Sequence, residues 1–61
     1  MPEVIVHCVE GRTPEQKKGL CADITKAMEK NFGVTADLVT VSIVESRRDS
    51  KMKGGVMFSE R

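Results

Sequence analysis

The pattern of apolar and polar positions along the chain predicts two strands separated by one long helix. Val4–Val9 is short and rich in β-branched residues, which is typical of a strand. Both of its faces are largely apolar, as expected of a strand that is covered on each side. Leu38–Glu45 predicts the second strand, because its side chains alternate between two faces. One face carries Val39, Val41 and Ile43, and the other carries Thr40, Ser42 and Val44.

The segment between these strands carries the signals of a helix start, an apolar stripe and a helix end. Thr13 can cap the helix, Pro14 suits its first position, and Gln16 completes a capping box. Gly33 supplies the C-terminal stop, so we predict a helix from Pro14 to Phe32. Apolar residues recur at helical spacing and form a core-facing stripe at Leu20, Ile24, Ala27 or Met28, and Phe32.

A strand, a helix long enough to cross over and a second strand make a β-α-β unit. We therefore predict an α/β fold with two parallel strands and a right-handed crossover, formed by residues 1–61 as one domain. Gly54-Gly55 predicts a turn, and Val56–Phe58 a short C-terminal strand or hairpin that could pair with the edge of a neighbouring subunit. Two strands alone do not make a stable sheet, which predicts assembly into an oligomer.

Composition supports assembly and excludes several classes of function. A chain of 61 residues without Trp or Tyr buries little apolar surface, so we expect copies of it to share that surface. Its 10 Lys and Arg against 9 Asp and Glu give no electrostatic reason to bind nucleic acid or an anionic membrane. One His and two separated Cys do not form a zinc pattern, and we expect no metal and no cofactor. The sequence shows no secretory signal, and we expect a cytoplasmic protein.

Pro2 is the candidate catalytic residue because it follows Met1. Removal of Met1 is expected when the second residue is small, and it would expose the ring nitrogen of Pro2 as a free secondary amine. Elsewhere in a chain the proline nitrogen carries no proton and cannot act as a base. The alternative is that Pro2 only starts an edge strand, a position where proline is tolerated.

The order and spacing of several segments resemble the 4-oxalocrotonate tautomerase family, whose members are short β-α-β chains that start with proline. The resemblance covers nearly the whole chain, including the predicted helix and second strand. Its other carriers are Pro2 behind Met1, Val9-Glu10-Gly11-Arg12-Thr13 followed by Glu15-Gln16-Lys17, and Gly54-Gly55.

The resemblance implies a homohexamer, built as a trimer of dimers, in which the amine of Pro2 is a general base. This base would move a proton between an enol or dienol and a small unsaturated keto acid. Arg12 matches the family arginine that binds a substrate carboxylate, and a guanidinium can clamp a carboxylate and stabilise developing negative charge. We therefore expect a tautomerase or isomerase that acts on a small carboxylate-bearing substrate.

Two positions depart from the family pattern. A second arginine that many members carry aligns with Thr40, and the aromatic residue that lines the family's pocket aligns with Lys51. One hypothesis is that Lys51, or Arg47 or Arg48 from the same loop, restores a positive group; the alternative is that Lys51 is a solvated side chain. Two other functions stay open: a non-catalytic oligomeric scaffold or binding subunit, which retention of Met1 would favour, and a related hydratase, dehalogenase or decarboxylase.

Overall fold

The computed structural model describes residues 2–61; Met1, and with it the expected removal of that residue, lies outside the described range. The predicted β-α-β unit is confirmed, with parallel strands β1 and β2 followed by a short antiparallel hairpin of β3 and β4. In chain order the elements are β1 (Glu3–Val9), α1 (Pro14–Phe32), β2 (Thr40–Ser46), β3 (Met52–Lys53) and β4 (Val56–Met57). Three 3₁₀ turns lie at Ala36–Leu38, Arg48–Ser50 and Phe58–Glu60.

Helix α1 begins and ends where the sequence predicts, because both ends carry specific capping interactions. The backbone N–H of Gln16 donates to Thr13 Oγ1 (3.1 Å), and the backbone N–H of Thr13 donates to Gln16 Oε1 (3.0 Å). This capping box satisfies donors that the first helical turn leaves unpaired. Gly33 adopts a left-handed conformation (φ 70°), and its N–H donates to the carbonyl of Glu29 (3.0 Å). Neither α1 nor any other helix within residues 2–61 has the length and apolar character needed to cross a membrane.

Strands β1 and β2 pair in parallel register, with Val6 opposite Ile43. Both side chains lie on the face that α1 covers, where they line a cavity with Leu20 of the helix. Lys17 of α1 forms a 3.0 Å ion pair with Glu45 of β2, and both side chains stay partly exposed. Such a pair contributes roughly 0–1 kcal/mol, so it positions the helix more than it stabilises the fold.

The second strand begins later than predicted, because Leu38 ends a 3₁₀ turn instead of starting the strand. The N–H of Leu38 donates to the carbonyl of Thr35 (3.0 Å), and the N–H of Val39 donates to the carbonyl of Ala36 (3.1 Å). These two donors are used inside the turn and cannot pair with β1. The ladder therefore starts at Thr40.

The C-terminal segment folds back on its own chain. Strands β3 and β4 pair around a two-residue loop in which Gly54 (φ 62°) and Gly55 (φ 80°) both have positive φ. This is the geometry of a type I′ turn, which glycine adopts without steric cost. Phe58, predicted to continue the last strand, instead begins the final 3₁₀ turn.

The packing of a single chain is incomplete. No residue in the range 2–61 is fully buried, and large apolar side chains such as Ile5 (52% exposed) and Phe32 (68%) remain in contact with solvent. The radius of gyration is 14.6 Å, whereas a compact chain of this length has about 10 Å. One helix and two strands cannot enclose a core, since the sheet has a second face that nothing within residues 2–61 covers.

Thr13→Ala should lower the free energy of unfolding by about 0.5–2 kcal/mol, because it removes the side-chain acceptor of the capping box. Thr35→Ala is the matched control: Thr35 precedes the Ala36–Leu38 turn, but its side chain makes no capping hydrogen bond. Urea unfolding of both variants measures the difference, at one fixed protein concentration because the expected assembly would contribute to stability. Equal losses in the two variants would contradict the capping role of Thr13.

Candidate active site

The amino ends of the two parallel strands bring Pro2 and Thr40 together. Pro2 directly precedes β1, and its carbonyl accepts a hydrogen bond from the backbone N–H of Thr40 (3.1 Å). The next residue, Glu3, pairs with Thr40 in the ladder. The backbone of Pro2 is thus held at one end of the sheet, beside the position where the family pattern has an arginine.

Arg12 lies beyond the opposite end of β1, in the turn that leads to α1. Glu10 fixes this turn to the segment after β2: its N–H donates to the carbonyl of Ser46 (2.9 Å), and its Oε2 accepts from the N–H of Arg48 (2.8 Å). Arg12 lines a cavity of about 230 Å³ between α1 and the sheet. The other lining residues, most of them apolar, are Val6, Cys8, Gln16, Lys17, Leu20 and Ile43.

The backbones of Pro2 and Arg12 of one chain lie at opposite ends of β1. The seven residues of β1 lie between them. At about 3.3 Å per residue, such a strand spans roughly 20 Å. We therefore expect a site that uses both residues to take Pro2 from one copy of the chain and Arg12 from another. The length of the predicted first strand was the available sequence signal for this separation.

Lys51 contacts an aromatic ring. Its Nζ is 5.6 Å from the ring centroid of Phe58, and the guanidinium carbon of Arg61 is 5.2 Å from the same centroid. The N–H of Phe58 donates to the carbonyl of Lys51 (2.8 Å), which continues the hairpin pairing. The position where the family pattern has an aromatic residue therefore keeps an aromatic neighbour. Sequence reasoning missed this contact, and its one signal was the Gly54-Gly55 turn that folds the two positions together.

The arginines near the carboxyl ends of β1 and β2 differ in their partners. Arg47 forms an exposed ion pair with Asp49 (2.7 Å). Arg48 lies against the backbone of Gly11, with Nη2 3.5 Å from the position that a Cβ would take there. Within residues 2–61, neither Arg48 nor Arg12 forms a salt bridge. Two guanidinium groups beside the same turn are therefore available to an anion.

These features define a class of small β-α-β proteins with proline before the first strand and arginine in the turn after it. The family model for tautomerase enzymes matches residues 2–61. A probable tautomerase of Bradyrhizobium diazoefficiens is 54% identical over 61 residues, which are 100% of this chain and 91% of that protein. The 2-hydroxymuconate tautomerase of Bacillus subtilis is 37% identical over 60 residues, or 98% of this chain and 97% of that protein. A solved 4-oxalocrotonate tautomerase homologue has a TM-score of 0.93 at 36% identity, covering 100% of this chain and 97% of that one.

The chain therefore belongs to the 4-oxalocrotonate tautomerase family, as the resemblance in its sequence implied. Membership of this family supports an isomerase-type activity. The roles of Pro2, Arg12, Thr40 and Lys51 stay predictions.

A mixed assembly tests whether the site is shared between chains. We expect Pro2→Ala and Arg12→Gln each to lose most of the tautomerase activity when assembled alone. Unfolding the two variants together and refolding them should recover up to about a quarter of the wild-type rate, since random assembly joins an intact Pro2 to an intact Arg12 in that share of the sites. The control is a mixture of separately refolded variants, measured before subunits exchange. If joint refolding recovers no activity, the two residues do not act across chains.

Proposed function

We propose that this chain is a tautomerase in which the secondary amine of Pro2, freed by removal of Met1, is the general base. The amine accepts a proton from an enol or dienol and returns it at another position, so the keto product is an isomer of the substrate. The observation that carries the proposal is the position of Pro2. It directly precedes β1, with its carbonyl bound to Thr40 (3.1 Å), in a chain that matches tautomerase enzymes from residue 2 onward.

Arg12 from a second copy is proposed to bind the carboxylate of the substrate. In support, Arg12 lines a largely apolar cavity and forms no salt bridge within residues 2–61. A guanidinium binds a carboxylate through two parallel hydrogen bonds, and it stabilises the negative charge that develops as the base removes a proton. Apolar surroundings and a nearby cation also favour the neutral amine, which is the form of Pro2 that accepts a proton.

Thr40 and Lys51 are proposed to change the range of substrates. Thr40 provides no charge beside Pro2, although its hydroxyl can donate a hydrogen bond to a substrate oxygen. Lys51 adds a cation, and Phe58 beneath it keeps an aromatic surface at that position. The substrate class is a small enol or unsaturated keto acid. 2-Hydroxymuconate, named in the Bacillus subtilis relative, is one suitable test compound.

The proposed assembly is a homohexamer built as a trimer of dimers. In support, the sheet face away from α1 leaves Ile5 (52%) and Val44 (44%) exposed, and no residue in the range 2–61 is fully buried. Association is the direct way for such a chain to remove apolar surface from water. The cytoplasmic location expected from the sequence stays a prediction.

The second candidate is a non-catalytic subunit that keeps the fold. It is favoured by Thr40 and Lys51, which replace the second arginine and the aromatic residue of the family pattern. It would also follow from retention of Met1, because an acylated Pro2 nitrogen cannot accept a proton. A hydratase, dehalogenase or decarboxylase would use the same amine on another substrate.

Intact mass and an enol-to-keto assay on one sample separate these candidates. We expect the mass to lack Met1, and phenylenolpyruvate or 2-hydroxymuconate to ketonise. Pro2→Ala should lower kcat/KM by about 10²–10⁴-fold, the usual contribution of a positioned base. Thr35→Ala is the control, because it changes an exposed side chain that makes no capping hydrogen bond. A mass that includes Met1, or ketonisation unchanged in Pro2→Ala, would rule out the amine mechanism.

Lys51→Met should reduce turnover of the dicarboxylic 2-hydroxymuconate more than that of the monocarboxylic phenylenolpyruvate, because it removes a cation and keeps a side chain of similar length. Lys53→Met is the matched control, since Lys53 lies in the same hairpin and makes no contact with the Phe58 ring among the described cation–aromatic pairs. Steady-state kinetics on both substrates provide the measurement. Equal effects on the turnover of the two substrates would contradict the assignment of Lys51 to a second carboxylate.

A further inference from the structure

We propose that Arg48 is a second substrate-binding arginine, which acts together with Arg12 on one carboxylate. The inference rests on the proposed function and deepens it. It adds Arg48 to the proposed substrate-binding cations, beside the Lys51 proposed for a second carboxylate. It assigns Arg48 to the same end of the substrate that Arg12 binds.

Two hydrogen bonds of Glu10, the residue after β1, hold Arg48 beside the turn that carries Arg12. The N–H of Arg48 donates to Glu10 Oε2 (2.8 Å), and the N–H of Glu10 donates to the carbonyl of Ser46 (2.9 Å). This pair of bonds fixes the backbone of residue 48 beside residue 10. The position of Arg48 therefore does not depend on its own side chain, which stays free for another role.

The side chain of Arg48 reaches the residue that precedes Arg12. Its Nη2 is 3.5 Å from the position of a Cβ on Gly11, whose φ of 123° is strained for any other residue. A glycine here leaves the backbone uncovered, so the guanidinium can lie against it. Consecutive Cα atoms are about 3.8 Å apart, so the Arg48 guanidinium lies close to the backbone from which the Arg12 side chain starts.

The charges of the segment favour Arg48 over its neighbours. Arg47 is paired with Asp49 at 2.7 Å, and Lys51 lies over the Phe58 ring. Arg48 has no salt bridge with any residue in the range 2–61. The nearby acid is Glu10, and one of its oxygens already accepts the backbone N–H of Arg48. The two arginines and this one carboxylate leave a net positive charge at the turn.

Two guanidinium groups at one turn suit a carboxylate better than one does. A carboxylate has four lone-pair positions, and a single bidentate arginine uses only part of them. The second guanidinium can bind the remaining positions or the enol oxygen next to the carboxylate. Arg12 starts from this turn and the Arg48 guanidinium lies against it. Both groups therefore reach one end of a small molecule, while its other end extends toward Pro2 of another copy.

A double-mutant cycle tests the shared carboxylate. Arg48→Gln removes the charge but keeps the backbone N–H that binds Glu10, and Arg47→Gln is the matched control in the same loop. We expect Arg48→Gln to raise KM for phenylenolpyruvate about ten- to a hundredfold, as for loss of a charged hydrogen bond, with Arg47→Gln unchanged. Adding Arg12→Gln to Arg48→Gln should raise KM by less than the product of the two single increases, because both residues bind one carboxylate. The methyl ester of phenylenolpyruvate should be insensitive to Arg48→Gln.

Three kinetic results would overturn the inference. These are an unchanged KM in Arg48→Gln, effects of the two arginines that multiply independently, and an equal loss with the methyl ester, which would indicate a structural role.

A binding measurement separates failure of this inference from failure of the proposed function. Hexanoate and its neutral methyl amide are titrated into the assembled protein while the backbone amide NMR signals of Gly11 and Arg12 are followed. We expect hexanoate, but not the amide, to shift these signals in the wild type and in Arg47→Gln, and the shifts to be lost in Arg48→Gln. This result in a protein without tautomerase activity would reject the proposed function and support the anion site. If the protein is active but hexanoate shifts the signals of Arg48→Gln as it does those of the wild type, the anion site is rejected. The absence of any shift in the wild type would also reject it.

Discussion

The parallel pairing of β1 with β2 is the interaction on which the rest of the structure depends. Parallel strands need a crossover, and α1 provides it while covering one face of the sheet. Within residues 2–61 this sheet has two strands, and its face away from α1 leaves side chains such as Ile5 and Val44 at the surface. Under the proposed assembly this burial is completed between chains, so the free energy of unfolding would depend on association.

The same pairing divides the chemistry between two ends of the sheet. The amino ends of the strands hold Pro2 next to Thr40, and the carboxyl ends hold the turn with Arg12 and the segment with Arg48. In parallel strands both strand starts lie at one end of the sheet and both strand exits at the other, so the backbones of the two groups are separated by the length of β1. Under the proposed function, the active site is therefore a property of the contact between chains.

Local signals predicted much of the fold, because they act over three or four residues. Thr13, Gln16 and Gly33 determine both ends of α1 through their own hydrogen bonds and φ angle. The predicted start of β2, by contrast, was wrong. The apolar pattern includes Leu38, whereas the backbone there forms a turn. The contacts of Arg48 with Glu10 and Gly11 join positions nearly forty residues apart. No local pattern encodes such contacts, so sequence could name Arg48 only as one of several cations.

The seven residues of β1 also determine the distance between Pro2 and the turn that carries Arg12. An insertion or deletion of one residue would turn Val6 and Cys8 away from the helix, because side chains alternate along a strand. A change of two residues would restore the faces, but it would move the Pro2 end by about 7 Å relative to the Arg12 end. Under the proposed site, β1 is therefore expected to tolerate substitutions but not changes of length, whereas the sheet places no such limit on the length of the Gly54-Gly55 loop.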